Sequence, residues 1–537
     1  MLLSALLPVL LLACSPDEPG KADDADDVED TGARDTALYE LVVSPYLQSV
    51  TDEDAWVLWI TDEGEESRVT WGPTEAMENT TSGEVETEGG LGYVHAVRLE
   101  GLTPGGEIYY QAHTGGTASE VTRFRAAPAT GDDARFLVIA MSDMQRDDAN
   151  PDKFDEIISD GVIPYVTDTL GLDLADDVGM VLIPGDLVDN GWDYREWWGD
   201  FFAPAAPLIS QVPVFPVTGN HEADTPLYFR YFRLPEDGSP DYEEHWWTAD
   251  RGRLRVIGLD SNTPYRGEPQ RAWLEGVLAD TCVDPDIDFV FAQLHHPYLS
   301  ELWIPGEEDF SGEVVALLET FTADCGKPSV HLFGHTHGYS RGQSRDHRHL
   351  MINVASAGGA IDRWGGDAVD YPEFTVSQDE WGFVAIEVLA EAADPTFTVS
   401  RLSQGNVDNP RDNELRDQVT VRRYDAAPET PEALAPVGEV AGAVVLVASP
   451  FVDPDGDLQG AAHWEVSAGC DDFSAPLVSD WVQHENWWFG EDLQAGDDLS
   501  DVTVEGLGSG AYCWRVRYRD RGLSWSGWSA PMAFSVP

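Results

Sequence analysis

Met180-Val181-Leu182-Ile183-Pro184 runs directly into Gly185-Asp186-Leu187-Val188-Asp189, an apolar strand that ends in a short loop carrying two carboxylates. The same order recurs four times. Phe136 to Ala140 leads to Asp143, Val214 to Val217 leads to Asn220 and His221, Phe289 to Ala292 leads to His295 and His296, and Val330 to Phe333 leads to His335 and His337. Ligands of an open parallel sheet bind beyond the C-terminal ends of its strands, so all five loops are expected to converge on one crevice. Helical stretches such as Arg271 to Leu278 and Gly312 to Phe321 alternate with the apolar runs, which makes 131–425 an α/β domain.

The loops carry carboxylate oxygens, imidazole nitrogens and one amide oxygen, the donor types that hold divalent cations. Two such ions roughly 3.5–4 Å apart can clamp the attacking and leaving oxygens of an in-line displacement at phosphorus. Hydrolysis of a phosphoester is the chemistry this implies.

Gly185-Asp186, Gly219-Asn220-His221-Glu222 and Gly334-His335-Thr336-His337, in this order and spacing, resemble the calcineurin-like metallophosphoesterases. With an all-β segment before them that contains Pro45-Tyr46-Leu47-Gln48, the chain is similar in layout to purple acid phosphatases over roughly residues 40–425. The resemblance implies an α/β metallophosphoesterase sandwich with Asp186 as the carboxylate bridging two metals. One ion would take Asp143 and His337, the other Asn220, His295 and His335. His295 is chosen over His296 because the family pattern is His-x-Pro. His296 and Glu222 are then supporting residues, and His221 stabilises the transition state or protonates the leaving oxygen. A metal-bound hydroxide is the implied nucleophile.

Two positions depart from the pattern. The tyrosine that gives purple acid phosphatases their ferric colour is replaced by Asp189, which favours zinc, manganese or ferrous iron over a purple centre. The first motif reads Asp143-Met144-Gln145 where many metallophosphoesterases have Asp-x-His, so Gln145 is either a weak oxygen ligand or a hydrogen-bonding neighbour.

Outside this region, 38–128 and 430–537 read as fibronectin III-like sandwiches, with Gly101 to Tyr110 echoed by Gly506 to Val516 and Tyr109 expected at a strand corner. Asp453-Pro454-Asp455-Gly456-Asp457 offers alternate carboxylates to calcium or forms an Asx turn, and the turn is the preferred reading. Trp192, Trp197 and Trp198 either line a substrate approach or pack a core. Residues 1–14 form an apolar run ending at Cys14 that resembles a lipoprotein export signal, with an ordinary cleaved signal as the alternative. Residues 15–37 are an acidic, self-repelling linker. Cys282, Cys325, Cys470 and Cys513 suit two disulfides in an oxidising compartment, with Cys282 and Cys325 as one candidate pair.

With 98 acidic against 31 basic residues and a net charge of −67, the chain would repel nucleic-acid polymers and leaves small, locally bound anions as substrates. Bound metal ions would supply the cations such an anion needs. The readings are therefore an exported phosphomonoesterase, a phosphodiesterase on small nucleotide or glycerol-type esters, and a non-catalytic cell-surface protein. In the last, the sandwiches, above all the C-terminal one, contact polymers. Membrane contact is expected only through a lipid on Cys14.

Overall fold

In the computed structural model, residues 35–87, 92–242, 244–390 and 393–537 are described. Cys14 and nearly all of the acidic linker fall outside them. The five apolar runs form the strands Ala134–Ala140, Val178–Ile183, Val214–Pro216, Phe289–Gln293 and Ser329–Phe333, almost every residue of which is buried. Burial on both faces is why they read as continuous apolar stretches and not as alternation.

They do not share one open sheet. The first three are parallel neighbours in a ten-stranded sheet, with Leu137 opposite Val178 and Val181 opposite Val214. The last two pair in a nine-stranded sheet, with Val290 opposite Ser329. The two sheets pack face to face: Phe289 and Phe291 meet Phe397 at ring distances of 5.1 and 5.2 Å, and Gln293 Nε2 donates to the Phe215 carbonyl at 2.7 Å. An apolar run shows that a strand is covered on both sides but not which sheet it joins.

Helices Glu268–Val283 and Asp309–Cys325 cover the nine-stranded sheet, laying Leu274, Leu278, Val314 and Leu318 over Val290 and Ala292. The second ends where Gly326 turns left-handed at φ 63°. A disulfide joins Cys282 to Cys325, so it ties the last turns of the two helices, with Cα atoms 5.3 Å apart. A second joins Cys470 to Cys513.

The N-terminal β layers close over Val57, Trp59, Val97, Tyr110 and Phe124. One of them continues into the ten-stranded sheet, because Gln48 of Leu41–Gln48 pairs in parallel with Val214. The Tyr46 hydroxyl fastens the junction by donating to the Tyr231 carbonyl at 2.6 Å. Tyr109 bonds Glu107 through its hydroxyl, whereas the tyrosine that closes onto backbone at a strand corner is Tyr512, on the Gly508 carbonyl.

The C-terminal sandwich packs a three-stranded against a five-stranded sheet around Leu446, Trp464, Trp514 and Val516. A hairpin, Trp487–Trp488 with Glu491–Asp492, reaches out of it and extends the nine-stranded sheet, Trp487 pairing in parallel with Val376 of Phe374–Gln378. At its tip Phe489 stacks on Trp364 at 4.7 Å. Buried Arg341 binds Asp417 at 2.6 Å and the C-terminal Glu485 at 2.9 Å, so one guanidinium joins the domains. Among the described residues no helix is long and apolar enough to cross a membrane.

Candidate metal centre

Each loop begins where its strand ends, and three candidate ligands hold their backbone in the left-handed region: Asp143 at φ 59°, Asp186 at 54° and His335 at 70°. Non-glycine residues there cost roughly 1–3 kcal/mol each and persist only where the surroundings fix them. The motif glycines leave the room that this fixing needs. A Cβ on Gly185 would lie 2.7 Å from His295 Nδ1, one on Gly219 2.1 Å from Asp186 Oδ1, and one on Gly334 2.5 Å from Asp143 Oδ2. Side chains at these glycines would displace the candidate ligands themselves.

Glu222 stitches the second and third loops together. Its buried carboxylate accepts the backbone N–H groups of Asp186 and Leu187, each at 2.9 Å, and of Gly219 at 2.7 Å. Burial, with Asp186 close by, pushes its carboxyl up to about 7.

The donor atoms fall into two groups that Gln145 joins. On one side Asp186 Oδ2 is 3.2 Å from His295 Nε2, which is 2.9 Å from Asn220 Oδ1 and 3.2 Å from His335 Nδ1. Asp186, His295 and His335 bring donor atoms within 4.8 Å of one another. On the other side His337 Nε2 is 3.2 Å from Asp143 Oδ1. Gln145 lies between the groups: its Nε2 is 3.4 Å from Asp186 Oδ2 and 3.3 Å from His337 Nε2, while its Oε1 is buried with no hydrogen-bond partner.

Backbone carbonyls orient two of the imidazoles. His295 Nδ1–H donates to Pro184 at 2.9 Å and His337 Nδ1–H to Ala360 at 2.7 Å, which leaves both Nε2 atoms turned to the centre. Asp362 accepts the His337 backbone N–H at 2.9 Å. Burial alone would lower His295 and His337, but the Asp186 and Asp143 carboxylates outweigh it and push both up to about 9. Burial, helped by His295, holds His335 down at about 4. Although burial raises Asp186, His295 and His221 hold it well below the usual carboxylate range. The centre therefore favours positive charge among its carboxylates. Three imidazoles, two carboxylates and an amide oxygen fit zinc, manganese or ferrous iron, and the orphaned Gln145 oxygen is one further donor available to an ion.

The other residues singled out from the sequence divide. Asp189 is not in the donor set: its carboxylate is mostly exposed, and its contribution is a backbone carbonyl that accepts His221 Nδ1–H at 2.6 Å. His221 Nε2 then faces Asp186 Oδ2 at 3.8 Å, and the His221 N–H donates to Asp186 Oδ1 at 3.0 Å. His296 bonds Ser261 through Nδ1 and sits 4.6 Å from the His335 ring. Trp197 is a core residue, and Trp192 is exposed. Pro184, Ala360 and Asp362 were not visible as site residues, since backbone acceptors leave no mark in a sequence and Asp362 belongs to no motif. Beside the centre, Met144 and Gly358 open onto a cavity of about 240 Å³ lined by Arg146, Lys153 and Asp200.

Residues 136–339 match the family model described as calcineurin-like phosphoesterase, and residues 43–126 the one described as purple acid phosphatase, N-terminal domain. An uncharacterized protein of Mycobacterium tuberculosis is 27% identical over 46% of this chain and 50% of its own length. A protein of Arabidopsis thaliana described as "Probable inactive purple acid phosphatase 24" is 27% identical over 47% of this chain and 44% of its own. The chain thus spans about half the length of the curated relatives it matches. Among solved structures, a purple acid phosphatase from yellow lupin (Lupinus luteus) seeds shares the fold with a TM-score of 0.56 at 18% identity, over 70% of this chain and 73% of that one.

Proposed function

The chain belongs to the calcineurin-like phosphoesterases that carry a purple acid phosphatase N-terminal domain, and from this premise we propose that it is an exported hydrolase of small phosphate monoesters working with two divalent ions. The observation that supports the reading is a donor set in two adjoining groups, Asp143 with His337 and Asp186 with Asn220, His295 and His335, with Gln145 Nε2 within 3.4 Å of Asp186 Oδ2 and 3.3 Å of His337 Nε2. One ion would be held by Asp143, His337 and Asp186, the other by Asp186, Asn220, His295 and His335, and each would be zinc, manganese or iron. When bound, the ions supply Lewis acidity toward the phosphoryl group and a nucleophile near neutral pH.

The chain's own residues do the rest. His221, held by the Asp189 carbonyl, directs Nε2 into the centre and delivers a proton to the leaving oxygen. Glu222 keeps Asp186 in its left-handed conformation. The adjoining cavity carries Arg146 and Lys153 against Asp152, Asp155 and Asp200, so the positive charge that admits an anion has to come from the ions themselves. The apolar run before Cys14 and the two disulfides support export. Loss of membrane-fraction protein in Cys14→Ser tests the lipid anchor, and unchanged fractionation would remove it.

Turnover of nitrophenyl phosphate and bis-nitrophenyl phosphate, measured on one metal-assayed sample, tests the activity. A kcat/KM at least about tenfold higher for the monoester is expected if the site discriminates by contacts to the phosphoryl oxygens. The reverse ratio points to a diesterase. No turnover with zinc, manganese or iron would leave the non-catalytic surface protein, a reading to which the relative described as inactive gives weight.

Gln145→His should tighten metal binding on the Asp143–His337 side alone, because imidazole is a better donor than an amide and the position already lies 3.3 Å from His337 Nε2. Titration with manganese should show one of two affinities rising. If both rise together, or neither does, Gln145 has no place beside that ion.

A further inference from the structure

The chain buries a second knot of carboxylates, away from the catalytic loops. Asp425, which follows the strand Pro410–Arg422, has a side chain wholly removed from solvent, and Asp520, the last residue of Gly510–Asp520, is 1% exposed. Both converge above Gly522, where a Cβ would lie 2.9 Å from Asp425 Oδ2 and 3.2 Å from Asp520 Oδ1. The loop 453–457 closes the third side, since the Asp455 carboxylate accepts the N–H of Ala426 at 2.8 Å.

That loop does form the Asx turn expected from its sequence. Asp453 Oδ1 accepts the N–H groups of Asp455 and Asp457 at 2.8 and 3.0 Å. The turn uses only that one oxygen. Asp453 Oδ2, Asp520 Oδ2 and both oxygens of Asp425 are buried and accept no hydrogen bond.

Two cations approach without closing on them. Arg348 Nη2 stays 3.8 Å from Asp425 Oδ2, and Arg422 Nε 3.6 Å from Asp457 Oδ2. Asp520 Oδ1 takes the Ser524 N–H at 2.9 Å. With buried Arg519 also near Asp520, four carboxylates face three guanidiniums, which leaves the knot short of positive charge, and buried carboxylates in proteins are paired, hydrogen-bonded or metal-bound.

We propose that Asp425, Asp453, Asp457 and Asp520 hold a calcium-type divalent cation where the catalytic and C-terminal domains meet. The donors are oxygens only, with no imidazole or thiolate, which suits a hard cation and not zinc. Such an ion would complete a shell of 6–8 ligands with backbone carbonyls and water. The cation would fasten the segment leaving the catalytic domain to two loops of the sandwich. Its role is separate from the phosphoesterase reading and stands without it.

The test uses the full chain, stripped with EDTA and reloaded with manganese so that the catalytic centre is filled. Added calcium at about 100 times its Kd should raise the melting temperature of the wild type by about 5 °C. It should also displace terbium luminescence excited through tryptophan. Asp453→Asn keeps the Oδ1 acceptor of the turn while removing the free oxygen, so the loop should fold unchanged. This variant and Asp520→Asn should bind calcium at least tenfold more weakly with manganese content and turnover unaltered. Absence of calcium binding by the wild type at millimolar concentration, or wild-type calcium affinity in both variants, would overturn the proposal.

Discussion

Asp186→Asn is expected to abolish turnover and to empty both halves of the centre, with the fold left intact. The fold survives because asparagine tolerates the left-handed backbone that Asp186 adopts at φ 54° better than most residues, and because it has nearly the same volume. The chemistry does not survive. Oδ2 lies 3.2 Å from His295 Nε2 and 3.4 Å from Gln145 Nε2, which is itself 3.3 Å from His337 Nε2, and the proposal makes Asp186 the carboxylate the two ions share. An amide nitrogen there offers no lone pair and turns its hydrogens toward any cation. Loss of an outer partner of a metal ligand already costs about 10–100-fold in metal affinity or activity. Loss of the shared ligand should exceed that at both sites. Metal analysis of the purified variant beside its melting curve provides the check, and full activity with both ions retained would refute the assignment of the centre.

His221→Ala should separate chemistry from metal binding. The N–H that His221 gives to Asp186 belongs to the backbone and is kept in alanine, so the ligand geometry should hold and metal content should stay at the wild-type value. The imidazole is what disappears, and with it the group whose Nε2 faces the centre from the Asp189 carbonyl. General acid catalysis contributes about 10²–10⁴-fold, and a fall of that size in kcat is expected. The fall should be smaller for nitrophenyl phosphate, whose leaving group needs little protonation, than for an alkyl phosphate. Equal losses on the two substrates would assign His221 to transition-state charge and not to the proton. An unchanged kcat on both would remove it from the reaction.

The candidate donors stand out in the sequence because each follows an apolar strand, with a glycine directly before Asp186, Asn220 and His335. Gly185, Gly219 and Gly334 have a reason visible only in space, since any side chain on them would strike Asp143, Asp186 or His295. What escaped the sequence follows from the same limit. Two sheets and one sheet give the same apolar runs, so the division of the five strands could not be read. Asp189 carries a ligand-type side chain, yet its carbonyl is the part that serves His221. Pro184 and Ala360 also act through backbone oxygens, which every residue possesses. The Asp453 loop was read as a turn, correctly, but the burial of its remaining oxygen beside Asp425 and Asp520 depends on segments far apart in the chain.

The hairpin at Trp487–Asp492 bears on how such chains can be cut and recombined. Without it the strand Phe374–Gln378 would present a row of unsatisfied backbone groups to solvent, and an open strand of that kind recruits other chains. The last hundred residues would then guard the solubility of the rest of the chain as well as extend it. A shortened chain ending near residue 425 should precipitate or self-associate before any loss of catalytic competence could be measured. A relative that lacks this hairpin would need a proline, a lysine or a bulge on the corresponding strand to remain monomeric.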